Sequence, residues 1–429
     1  MLITEERDYW NLDAIYIYKA KRKMVQAESR SATDGAFIKT TSEPTTKLPP
    51  TQPIKIMGPF KYFIRFSGFD CSSAHNIKSC CGIISLLIAI GVLVIIIVKA
   101  MLIMGVSTEV LEIGWAESSV YGFMSLQMFN AGLCLVSWTR DKFVSEFEER
   151  LSRIRQLRLS FNANIDSYKK FHWKAFIMII PIFAVILATS ITAAVDDRYA
   201  KNETNTFNST SKIFRIAPVM DFFGCLSTSL SLVLFVTINV ALSRELEHFN
   251  KELTTSARTQ QLILPNILNG YSKRHSDLIQ LVKFANLHLN KYASIVPLFT
   301  ILAAINSIYL LSNYFSDMQR LYAIFMIGWA IISMGITIAC LSSAAKVQDQ
   351  IKETAQILMD DDIVQIRSDD QMYNTYRVIL DRSLYSNAHC SLIYAFSINS
   401  QFFYRVMVIT PNVATLLKFY QKTLVLANY

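Results

Sequence analysis

The sequence predicts an all-α protein: a seven-transmembrane helical bundle with inverted topology and long cytoplasmic helical extensions. Inverted topology here means a cytoplasmic N-terminus and an extracellular C-terminus. Three observations support the prediction. Of the 429 residues, 52% are hydrophobic and only 17% are charged, seven apolar stretches recur along the chain, and Lys and Arg are concentrated in alternate connecting segments. A soluble protein rarely combines so few charges with so many apolar residues.

The apolar stretches define the spans, because a bilayer core about 30 Å thick requires about 20 apolar residues of helix. The predicted spans lie at about 81–104, 115–138, 175–195, 217–242, 292–312, 321–342 and 392–417. The last span is the least uniformly apolar, since it contains Asn399, Gln401, Arg405 and Asn412. Polar residues are costly facing lipid, so we expect this span to face a water-filled axis or other helices.

The rest of the chain divides around these spans. Residues 1–79 are predicted to form a cytoplasmic N-terminal tail, disordered in part, and residues 80–429 to form the transmembrane domain. Three long connecting segments, 139–174, 243–291 and 343–389, show apolar residues at spacings of three and four, which predicts amphipathic helices. We expect these helices to continue the spans and to pack against each other or other subunits. The alternative is that they lie on anionic lipid.

The distribution of positive charge gives the orientation. The segments before the first span and after the second, fourth and sixth carry 33 of the 42 Lys and Arg, whereas the alternate segments carry six. Cytoplasmic loops of membrane proteins are enriched in Lys and Arg, so the N-terminus is predicted to be cytoplasmic.

Two glycosylation sequons agree with this orientation. Asn202-Glu-Thr204 and Asn208-Ser-Thr210 both lie in the segment after the third span, which the charge pattern places outside. N-linked glycans are added to extracellular loops of secreted and surface proteins. We therefore predict a multi-pass glycoprotein of the plasma membrane, glycosylated at Asn202 and Asn208.

Several other classes of protein have less support. HExxH, paired CxxC, Walker A and GxSxG motifs are all missing from the sequence, so we do not expect an enzyme. The histidines show no metal-ligand spacing and the basic residues fall between apolar stretches, so no cofactor, metal or nucleic-acid partner is expected. The tripeptide Asp197-Arg198-Tyr199 matches one found in G-protein-coupled receptors, but it lies on the predicted outer side.

The end of the chain resembles a known family. Phe396-Ser-Ile398-Asn399 looks like the element that opens the last helix of the insect gustatory and odorant receptor superfamily, which includes nematode gustatory-receptor-like proteins. Pro411-Asn412 and Lys418-Phe419 occupy the place of the family's closing signature, in which five apolar residues separate two dipeptides. Leu278, Leu281, Val282 and Asn286 are similar to the family's helix before the fifth span.

The resemblance implies a chemosensory receptor of sensory neurons that acts as a ligand-gated cation channel. In this family four subunits, identical or different, form a tetramer with its pore along the last span. The predicted pore-lining residues share one helix face: Val408, Asn412, Thr415 and Phe419. Arg405 and Lys418 would favour anions if they lined the same axis. The alternatives are a seven-span receptor without its own pore, whether light-sensing or coupled to G proteins, and a small-molecule transporter.

A small-molecule ligand is expected in the outer half of the bundle, where aromatic and acidic residues occur together. Glu117 and Asp221 depart most from an ordinary membrane interior, because acids within spans are costly. The predicted ligand-binding residues are Trp115, Glu117, Tyr121, Asp221, Phe222, Tyr309, Phe325 and Trp329.

Overall fold

A computed structural model describes residues 56–67, 69–72, 80–105, 110–158, 168–195, 207–316, 318, 320–360, 370–386 and 388–427. These residues form ten α-helices: α1 Phe60–Phe66, α2 Cys80–Gly105, α3 Ile113–Arg140, α4 Phe143–Arg155, α5 Lys169–Val195, α6 Phe207–Arg258, α7 Pro265–Tyr314, α8 Arg320–Met359, α9 Asp370–Tyr385 and α10 Ser400–Ala427. Two short strands, β1 Ser391–Leu392 and β2 Phe396–Ser397, pair antiparallel between α9 and α10. The predicted disordered part of the tail, 30–53, lies outside the described residues.

The predicted seven-helix bundle is confirmed, with α2, α3, α5, α6, α7, α8 and α10 at the seven predicted spans. Within the described residues, five stretches are long and apolar enough to cross a membrane: Ile113–Arg140, Lys169–Ile191, Pro218–Arg258, Pro265–Tyr314 and Arg320–Met359. The first span, α2, contains a shorter apolar stretch, Leu86–Met101. Helices α3 and α7 pack against each other at the centre of the bundle, and α10 packs along α7 and α8.

Three spans continue as helices well beyond their predicted ends. Helix α6 runs on to Arg258, α7 begins already at Pro265, and α8 extends to Met359. Apolar side chains along these extensions are fully buried, among them Leu246, Phe249 and Leu278. The periodic apolar residues of the connecting segments therefore cover one another, as expected for helical extensions that form a packed layer next to the membrane bundle.

A buried ion cluster fixes helix α4 to this layer. The Glu245 carboxylate of α6 accepts hydrogen bonds from Nε of Arg158 at 2.8 Å and Nε of Arg155 at 3.1 Å. All three side chains are buried. Burial opposes the ionisation of Glu245, but the two guanidinium groups outweigh it and hold the pKa of the carboxyl below its usual value. The second connecting segment is thus an integral part of the fold.

The C-terminal part of the predicted N-terminal tail is ordered and packed against the helices. Residues Ile56, Phe60 and Phe69 are almost fully buried, so this part of the tail belongs to the core. The backbone N–H of Ile56 donates to Glu148 of α4 at 2.8 Å. Gly58 adopts a φ of +48°, and a Cβ there would lie 2.5 Å from the His172 ring. The burial of this segment was not apparent from its polar sequence, because only its few apolar residues pack between helices.

The predicted start of the last span, at about residue 392, is too early. Residues 392–399 are not helical; they include the β1–β2 hairpin, and the helix begins at Ser400. The side-chain oxygen of Asn399 accepts a hydrogen bond from the backbone N–H of Phe402 at 2.8 Å, which is the geometry of a helix N-cap. The apolar residues before Asn399 extended the hydropathy pattern across a turn.

Candidate functional site

The outer ends of the spans, meaning the ends that the charge pattern assigns to the outside, contain an aromatic and acidic cluster. The rings of Tyr121 on α3 and Trp329 on α8 meet edge to face, with centroids 5.8 Å apart. The carboxyl group of Glu117, one turn before Tyr121, lies next to the hydroxyl of Tyr322. The α3 and α8 backbones make little direct contact, so these large side chains bridge the space between two helices.

This outer cluster includes two further predicted residues. Trp115 and Phe325 are half-buried on the same two helices, near Glu117 and Tyr322 in sequence. The Nε1 of Trp329 is buried and has no hydrogen-bond acceptor within the described residues. Glu117 forms no ion pair with any described residue. Among the residues that the structure describes, the cluster therefore combines aromatic surface with a carboxyl that has no cation and an indole N–H that has no acceptor.

Asp221 is placed differently from Glu117. Its carboxylate is buried, forms an ion pair with Lys99 of α2, and accepts a hydrogen bond from the Ser190 hydroxyl of α5. The neighbouring Phe222 is 43% exposed and stacks edge to face with Phe183. The structure thus provides Asp221 with its own cation, and this pair together with Ser190 joins three spans. Lys99 was the sequence signal for the pair, as the single cation of an apolar span.

Tyr309 belongs to a hydrogen-bonded junction at the outer ends of α3, α7 and α10. Its hydroxyl donates to the backbone oxygen of Leu111 at 2.7 Å, and the hydroxyl of Tyr314 donates to the same oxygen at 2.9 Å. Gln421 of α10 donates to the Tyr314 hydroxyl at 2.5 Å. Leu111 lies just before α3, the helix that carries Glu117 and Tyr121. This outer junction links the start of α3 to the last helix.

Helix α10 has one packed face and one open face. Thr410 and Ala414 are fully buried against the bundle. The four predicted pore-lining residues all lie on the opposite, exposed face: Val408, Asn412, Thr415 and Phe419. Asn412 and Thr415 donate to backbone oxygens one turn earlier, at 2.9 and 3.0 Å. A single subunit therefore leaves a continuous face of its last helix uncovered, and we call it the open face.

The two cations that the sequence placed in or near the last span behave differently. Lys418 turns towards α7, where its Nζ donates to the backbone oxygen of Ser312 at 2.7 Å. Arg405 is exposed and forms no ion pair within the part of the chain that the structure describes. Arg405 therefore remains exposed beside the open face, whereas Lys418 forms a contact between α10 and α7.

Known proteins show which class this arrangement belongs to. The fold is that of the insect olfactory receptors. The solved structure of the olfactory receptor OR5 from Machilis hrabei superimposes with a TM-score of 0.61 at 13% sequence identity, covering 83% of this chain and 97% of that chain. The same receptor in complex with eugenol gives a TM-score of 0.59 at 11% identity, covering 84% of this chain and 98% of that chain.

The family assignment comes from a sequence model. The chain belongs to the family described as Caenorhabditis protein of unknown function, DUF267, whose model matches residues 56–414. No curated protein shows significant sequence similarity to the chain. The resemblance drawn from the last span and from Leu278–Asn286 is thus confirmed for the fold. The predicted glycosylation site Asn202 lies outside the described residues, and Asn208 lies in the first turn of α6.

Proposed function

We propose that this protein is a chemosensory receptor that acts as a ligand-gated ion channel in the plasma membrane of sensory neurons. Four subunits, identical or mixed, would surround a pore lined by the open face of α10. The observation that carries the proposal is this face, which is exposed along the helix from Val408 to Phe419 and includes Asn412 and Thr415. Polar side chains on a membrane helix favour a water-filled axis over lipid.

The ligand site that we propose is the outer cluster. Its aromatic side chains offer apolar surface, and Glu117 offers a carboxyl group that forms no ion pair with any described residue. A carboxyl group beside Tyr121 and Tyr322 suits a small organic ligand with an amine, because a bound ammonium group stabilises the carboxylate form and also binds to aromatic faces. The solved insect receptor was obtained with eugenol, a small organic molecule.

The outer junction supplies a route from ligand to pore. A ligand that enters between α3 and α8 would displace the start of α3, and the Leu111 carbonyl there is bonded to Tyr309, Tyr314 and Gln421. Gln421 belongs to α10, so a shift of α3 would act directly on the pore helix. Discrete hydrogen-bonded contacts of this kind can couple two sites when both bias the same element.

The experiment that tests the proposal is a ligand screen with current recording on cells that express the full chain. We expect at least one small organic compound to evoke a current, and the purified protein to contain four subunits per particle. The Gln421→Ala variant should raise the ligand concentration needed for half-maximal current. A particle with one subunit, or ligand binding without current, would favour the second candidate, a receptor without its own pore.

A further inference from the structure

The charge on the open face of α10 argues against the cation selectivity that the sequence resemblance implies. Arg405 precedes Asn412 by seven residues, and a helix turns only about 20° away from register over that length. Arg405 therefore projects from almost the same line of the helix surface as Asn412. Both residues are exposed in the single subunit. Whatever axis Asn412 lines, Arg405 lines it about 10 Å further towards the inner end.

No acidic residue balances this charge along the helix. The sequence of α10, from Ser400 to Ala427, contains Arg405, Lys418 and Lys422 but neither Asp nor Glu. Lys418 is bonded to the Ser312 carbonyl of α7. Lys422 is exposed near the outer end, three residues after Phe419 of the open face. The open face thus carries a cation near each end, Arg405 towards the inner end and Lys422 towards the outer end.

We propose that the channel passes anions and that Arg405 sets this selectivity. The inference rests on the proposed pore along α10. Four subunits would place four guanidinium groups around one narrow axis, and rings of Arg or Lys are the usual selectivity elements of anion pores. Arg stays protonated at any physiological pH, so the ring cannot lose its charge. Inside a low-dielectric wall it attracts anions and repels cations over several ångströms.

A competing role for Arg405 would be to extend towards lipid phosphates at the inner membrane surface, as long basic side chains do. The exposure of the side chain in one subunit is compatible with that role. The two roles differ in their consequences for permeation. A lipid-facing Arg405 leaves the sign of the permeant ion unchanged when it is replaced, whereas a pore-lining Arg405 controls it.

The test uses the purified full-length protein in liposomes, with two flux assays run in parallel. Iodide entry quenches an enclosed anion-sensitive dye, and thallium entry is read with a cation-sensitive dye. Because the ligand is not identified, the Val408→Ser variant serves as the open channel: it replaces an apolar side chain of the proposed pore next to Arg405 with a polar one, which favours wetting. We expect iodide flux to exceed thallium flux by at least about tenfold in this variant.

Charge variants in the Val408→Ser background test whether Arg405 sets the selectivity. Arg405→Gln should reduce the iodide preference, and Arg405→Glu should reverse it towards thallium. Lys418→Gln is the matched control, since it removes a cation of the same helix that contacts α7, and it should keep the preference. Size-exclusion profiles show whether each variant still assembles, and Arg405→Gln remains informative if Arg405→Glu does not.

Two results would overturn the proposal. Thallium flux that exceeds iodide flux in Val408→Ser would show a cation pore, and an iodide preference that survives Arg405→Gln would remove Arg405 from the axis. Either result leaves the proposed channel standing. The absence of both fluxes in Val408→Ser would instead contradict the pore along α10, and with it the proposed function and the anion selectivity together.

Discussion

The side-chain oxygen of Asn290 accepts hydrogen bonds from both the backbone N–H and the hydroxyl of Ser391, at 2.8 and 3.1 Å. One turn earlier on α7, Asn286 accepts from the Cys390 thiol at 3.1 Å, and one turn later the Ser294 hydroxyl donates to the Ser391 carbonyl at 2.7 Å. Residues four apart share a helix face. This polar ladder fastens the hairpin before α10 to the middle of α7.

Asn290→Ala should loosen that attachment. The change leaves the N–H and hydroxyl of Ser391 without their acceptor, which costs about 1–3 kcal/mol for each buried group left unsatisfied. We expect a lower melting temperature of the purified protein and faster hydrogen exchange in residues 390–399. Asn266→Ala, an exposed position on the same helix, is the control and should change neither. Unchanged exchange at the hairpin in Asn290→Ala would mean that the ladder does not hold it.

The pair Lys99–Asp221 should behave as a unit. Lys99→Met leaves a buried carboxylate without its cation, which typically costs about 3–5 kcal/mol. Lys99→Met combined with Asp221→Asn should cost much less than the sum of the two single changes, because neither charge then remains buried alone. The exposed Lys61→Met provides the control for loss of one positive charge. Thermal melts of the unaltered protein, Lys99→Met, Asp221→Asn and the double variant measure the coupling between the two residues. Additive effects would show that the two residues act independently.

The fold was largely predictable from the sequence because a bilayer constrains it strongly. Length and apolarity placed all seven helices, and the amphipathic periods indicated that spans continue as longer helices, as α6, α7 and α8 do. The boundary before α10 was not predictable from hydropathy, since Leu392, Phe396 and Ile398 are as apolar as a span yet form a hairpin with positive φ at Ile393 and Tyr394. Such turns depend on the tertiary contacts with Asn290 and Ser294.

Glu117→Gln should alter which ligands bind. An arylalkylamine such as 2-phenylethylamine gains from the carboxylate, whereas 2-phenylethanol has the same shape and no charge. We expect the amine to bind about tenfold more tightly than the alcohol in the unaltered protein, a preference that a charged hydrogen bond can supply. The preference should disappear in Glu117→Gln and persist in Glu112→Gln, which removes an exposed acid five residues earlier. Ligand-induced shifts in melting temperature measure both affinities.

Other binding results would give Glu117 no role in ligand preference. If matched pairs of amines and alcohols bind alike in the unaltered protein, Glu117 is a structural acid that serves only its contact with Tyr322. Binding of the alcohols would then still support the aromatic cluster as the ligand site. If neither class of compound binds, the outer cluster is not the site for small aromatic ligands.

The orientation of the chain can be tested by chemistry at its ends and loops. We expect Asn202→Gln and Asn208→Gln each to increase electrophoretic mobility by the loss of one glycan, and the double variant to be insensitive to glycosidase. An epitope tag before Met1 should be reached by antibody only after permeabilisation. A tag at the same place that is accessible on intact cells would contradict the inverted topology.

Individual site residues were less predictable than the fold. The sequence selected Glu117 and Asp221 together because acids within spans are costly, but only tertiary structure shows that Lys99 neutralises one of them. Likewise Tyr309 was selected as an outer aromatic residue, whereas its hydroxyl is committed to Leu111. The open face of α10 was predicted because it depends on helical period alone. Pairings between distant helices have no comparable signal in a single sequence.

The proposed channel depends most on the open face of α10 lining an ion path, and cysteine accessibility measures this directly. In the current recordings we expect cysteines at Asn412 and Thr415 to react with a charged, water-soluble methanethiosulfonate and to change the evoked current. A cysteine at Ala414, which is fully buried on the packed face of the same helix, should not react. Modification at Asn412 and Thr415 that leaves the current unchanged, or equal reactivity at Ala414, would contradict a pore along α10.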